Sequence, residues 1–81
     1  MDEREILARI GDFVDEERRL REMYERGELS QAQEQRRLRQ LEVALDQCWD
    51  LLRQRRAKAR AGENPDEAGI RPAGQVEGYI Q

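Results

Sequence analysis

Between residues 38 and 59, the places that share one helical face hold Leu38, Leu41, Leu45, Cys48, Leu52, Arg55 and Ala59, in alternating steps of three and four. Only an α-helix gathers that spacing on one side, and so narrow a seam packs against another helix. A partner lies upstream, where Ile6, Ile10, Phe13, Leu20 and Tyr24 keep one face in register through Glu17. The spacing predicts helices over about residues 2–26 and 31–61.

Between them, Gly27 offers the left-handed residue that closes a helix, and Ser30 with Gln33 makes a capping box that opens the next. So short a connection leaves the two helices antiparallel neighbours. Residues 1–61 thus read as one all-α, coiled-coil-like helical hairpin, ending at Gly62. Folding it about the loop sets Leu20 against Leu38, Phe13 against Leu45, Ile10 against Cys48 and Ile6 against Leu52. Each of these pairs is apolar on both sides. The same register brings Glu3 to Arg55, Glu5 to Arg53 and Asp2 to Arg56, so opposite charges meet at the open end. Residues 2–28 carry ten acids and six bases, residues 31–61 four acids and eight bases, so the two helices attract.

Residues 62–81 change character, with Gly62, Gly69, Gly74, Gly78, Pro65 and Pro72 marking an irregular tail. Within it, Asn64, Pro65 and the acids after them carry the cap and first-turn proline of a short helical turn near 65–68. The tail holds four acids and one base, a balance that draws it toward the basic second helix.

A chain of 81 residues, 41% of them charged, has room for one thin core, since chains this short bury only about 60% of their unfolded surface. Completion by a second copy, as a homodimeric four-helix bundle, is the expected remedy. The lone Cys48 cannot form an internal disulfide, and Met1 to Glu5 opens with acids rather than a basic leader, which points to the cytoplasm. No window approaches the roughly 18 apolar residues needed to cross a membrane. With no histidine, Glu-x-x-His metal sites and His-dependent triads are excluded, and no cofactor is expected.

Three surfaces remain to be assigned. Leu7, Val14 and Trp49 each follow a seam residue, so they form a second apolar stripe on one flank of the hairpin. A second copy, the tail or a helix of another protein would bury it, with Trp49 as anchor and Ile70, Val76, Tyr79 and Ile80 as the tail's large apolar groups. Arg53, Arg55, Arg56, Lys58 and Arg60 crowd the end of the second helix, where cations complement the helix dipole; they also raise a nucleic-acid alternative. Glu17 interrupts the seam opposite Leu41 and needs a partner, either Arg21 one turn on or a second copy's Arg37 or Gln40; it reads as a register device. Cys48 reads as a small core residue.

Leu38-Arg39, Leu41-Glu42, Leu45-Asp46 and Leu51-Leu52 followed by Arg55 is similar to the first helix of the all-helical chorismate mutases. That resemblance implies a small helical enzyme and carries over Arg39 alone as an active-site cation. The family's other helices have no counterpart here. A longer resemblance runs from Ile6-Leu7-Ala8-Arg9-Ile10 and Val14-Asp15-Glu16-Glu17 through the stretch Leu41 to Ala57. It continues over Asn64-Pro65-Asp66-Glu67 and Arg71-Pro72 to Val76-Glu77-Gly78-Tyr79. On these residues the chain resembles a family of small actinobacterial proteins known only as a domain of unknown function, which implies that the tail belongs to the domain. The residues favour an interaction, scaffolding or regulatory module over an enzyme.

Overall fold

The computed structural model describes residues 1–72, and every regular element among them is helical: α1 over Glu3–Glu25, α2 over Gln31–Arg60, and a 3₁₀ turn over Pro65–Glu67. Val76, Tyr79 and Ile80 lie outside the described residues. Each helix end has a local chemical cause. At the start of α1 the Asp2 carboxylate accepts the Glu5 amide at 2.8 Å, which holds its pKa below the usual carboxylate range. Ser30 and Gln33 exchange reciprocal bonds of 3.1 and 2.9 Å at the start of α2.

Both helices close with the same device. Gly27 and Gly62 have φ of +77° and +76°. In each case the glycine amide donates three residues back and the next amide five back: Gly27 to Tyr24 and Glu28 to Met23, then Gly62 to Ala59 and Glu63 to Lys58. These paired bonds satisfy carbonyls that a helix end otherwise leaves bare.

Between the antiparallel helices lie Ile6, Ile10 and Leu20 of α1 and Leu41, Cys48 and Leu52 of α2, with Leu51 to one side of this seam, all buried. Phe13 and Leu45 pack against the largest cluster from its edges. At about 1.5–3 kcal/mol per large side chain, these few groups carry the hairpin. The charge pairing at the open end is one residue off the expected one. Glu3 pairs with Arg56 at 2.6 Å, Asp2 serves as a cap, and Arg55 turns away to Asp66 at 2.9 Å. The shift follows from Arg55 finding its acid in the tail. Glu17 is held by Arg21 at 2.8 Å, the expected local partner.

Candidate interaction surfaces

The described tail lies along α2 as a strap. Asn64 accepts the Asp66 amide at 3.0 Å and so sets the 3₁₀ turn, which brings Asp66 to Arg55; Lys58 and Glu63 approach to 3.5 Å just before it. Ala68 then packs against the core cluster beside Leu51 and Leu52. Past it, Gln54 donates to the Gly69 carbonyl at 2.8 Å and Gln47 to the Arg71 carbonyl at 3.2 Å. The strap therefore runs antiparallel to α2, from its end back toward its middle.

The strap closes over a charge. Asp50 follows the seam residue Cys48 by two and precedes Leu52 by two, so its side chain points away from α1, yet it is 0% exposed. The guanidinium of Arg71 covers it, with Nε donating to Oδ2 at 2.8 Å and Nη2 bonded to Oδ1. Gln54 supplies a further donor to Oδ2 at 2.8 Å. A buried carboxylate is tolerable only when so satisfied. The Arg71 bonds hold its pKa below the ordinary value, outweighing the opposing effect of burial.

Sequence reasoning missed Asp50, Leu51, Gln47 and Gln54 because none lies on the seam. One signal was available: Arg71 is the only base in an otherwise acidic tail. Leu51 joins the core because the strap covers its side of α2.

The opposite flank is exposed. Leu7, Val14 and Trp49 are 44%, 46% and 43% exposed. At 100° per residue, Trp49 projects on one side of the seam, while Gln47, Leu51 and Gln54 project on the other. The ties of the strap at Gln47, Asp50 and Gln54 lie away from this apolar stripe, and Ile70, on the strap itself, is 56% exposed.

The basic end of α2 is largely occupied. Arg55, Arg56 and Lys58 face Asp66, Glu3 and Glu63 respectively, and Arg53 contributes to the field that keeps Asp50 ionised. Arg39 lines a shallow depression with Gln35, Leu38 and Glu42; it stands about 24 Å along the helix from Arg55, so the two cations do not share a site. A second groove, of about 440 Å³, lies between Phe13, Glu16 and Leu20 of α1 and Arg37, Gln40, Leu41 and Ala44 of α2. Cys48 is buried, which pushes its thiol pKa up despite the pull of Arg9.

Comparison with known proteins supplies the family. A family described as "Protein of unknown function (DUF2630)" matches residues 2–81. The chain belongs to this DUF2630 family. Its match extends through the residues of the tail. Three DUF2630-like relatives, all uncharacterized proteins, come from Mycobacterium bovis and two strains of Mycobacterium tuberculosis. Each is 56% identical over 75 residues, covering 93% of this chain and 86% of the relative. These are actinobacterial proteins, in agreement with the resemblance read from the sequence. No solved structure matches the chain.

Proposed function

We propose that this DUF2630 protein acts in the cytoplasm through protein contacts, as a small scaffolding or regulatory module without catalysis of its own, and that its first partner is a second copy. The observation that carries this reading is the flank of Leu7, Val14 and Trp49, which stays open while the strap occupies the other side of α2. Three large apolar side chains on one face of a chain this small favour an interface over plain exposure to water. The nucleic-acid alternative draws less support, since acids of the same chain already face Arg55, Arg56 and Lys58. Sedimentation equilibrium tests the reading. The native chain should weigh twice its 9.6 kDa at micromolar concentration, and Trp49→Glu should return it to one copy with its helix content intact. A native chain that stays single, and captures no protein through this flank, would dismiss it.

A further inference from the structure

Gly11 has no explanation among the described residues of one copy. It sits in the interior of α1, where glycine costs about 0.5–1 kcal/mol relative to alanine. Its φ is not in the left-handed region, and a Cβ added there would meet nothing within 4 Å. Its place is informative: it follows Leu7 by four and precedes Val14 by three, on the exposed apolar stripe. A residue that costs helix stability and makes no room for its own chain makes room for something else.

We infer that Gly11 is the point of closest approach between two copies, packed α1 on α1 and α2 on α2 about a two-fold axis at its level. This rests on the apolar flank being an interface. In an isologous contact each residue meets its mirror place across the axis. Midway between Leu7 and Val14 on α1 falls beside Gly11, so Leu7 of one copy meets Val14 of the other, twice. On α2 the point midway between Glu42 and Arg53 falls between Gln47 and Cys48, and Cys48 shares the core cluster with Ile10. One axis therefore serves both helices. It sets Glu42 against Arg53 of the second copy, again twice, with the two Trp49 rings flanking the centre.

Size and the central charge pair fit a second copy. Glu42 and Arg53 are exposed on this flank and opposite in sign. The like charges brought near, Arg4 with Arg18 and Arg39 with Arg56, lie at the rim, where solvent screens them and Glu3 already holds Arg56. A face as long as α1, about 35 Å, and two helices wide, about 20 Å, offers about 700 Å², close to the roughly 800 Å² per partner of a stable interface.

The test separates helix stability from association. Gly11→Ala should raise the melting temperature of the dilute single copy, since the new methyl meets only water there, while weakening dimerisation about tenfold or more. Gly11→Leu should abolish the dimer. Arg53→Glu and Glu42→Arg should each weaken it, and the double swap should recover most of the loss. A dimer whose Kd is unchanged or tightened by Gly11→Ala, or a double swap no better than the single ones, overturns this arrangement and leaves the interface reading standing. A native chain that is monomeric at every concentration overturns this arrangement, and one that also captures no protein through this flank overturns the interface reading with it.

Discussion

Asp50 is buried under the strap rather than under α1, and that sets how it responds to substitution and to pH. Breaking a buried ion pair usually costs about 3–5 kcal/mol, because the surviving charge stays buried. Here α1 does not cover Asp50, so Arg71→Ala should release the strap and rehydrate the carboxylate at a smaller cost, about 1–3 kcal/mol. Hydrogen exchange should show residues 64–72 losing protection while the helices keep theirs. The pH dependence follows from the lowered pKa of Asp50. A carboxylate whose folded pKa lies below its unfolded value adds stability above the unfolded value, about 4, and that stability fades as pH falls through the folded one. Thermal melts should therefore be flat from neutrality to about pH 5 and fall below it, more steeply in the native chain than in Asp50→Asn. Equal acid slopes in the two would show that the pair is not what titrates.

Elements were legible where their causes are local. The heptad of α2, the capping box at Ser30 and the glycine stops at Gly27 and Gly62 are written in neighbouring residues, and the structure uses all of them. The strap was only half legible: charge balance drew the tail toward α2, but Asp50 and Arg71 are 21 residues apart, and no periodicity links them. The one-residue shift at the open end has the same root, since Arg55 chose between two acids that sequence alone cannot rank. Gly27→Ala tests the local logic. With φ at +77°, a Cβ is strained there, and urea melts should show a loss of about 1 kcal/mol or more. The added methyl meets no neighbour within 4 Å, so a neutral result would place the strain elsewhere.

For the whole molecule, the thin core is the governing fact. Two side chains, Ile6 and Leu52, are 0% and 2% exposed and sit at the open end of the hairpin. Truncating Leu52 to alanine should cost about 2–5 kcal/mol, enough to unfold much of a single copy at 25 °C. Circular dichroism at rising protein concentration would then show helix returning if a second copy supplies the missing burial. The opposed flanks add a consequence for how the chain folds. The ties from Asp66, Gly69 and Arg71 to α2 span at most 24 residues, whereas the Glu3 to Arg56 tie spans 53. Shorter closures cost less chain entropy. Helix α2 is thus the hub of both closures. A lesion in α2 should slow folding, while one in the strap should chiefly hasten unfolding.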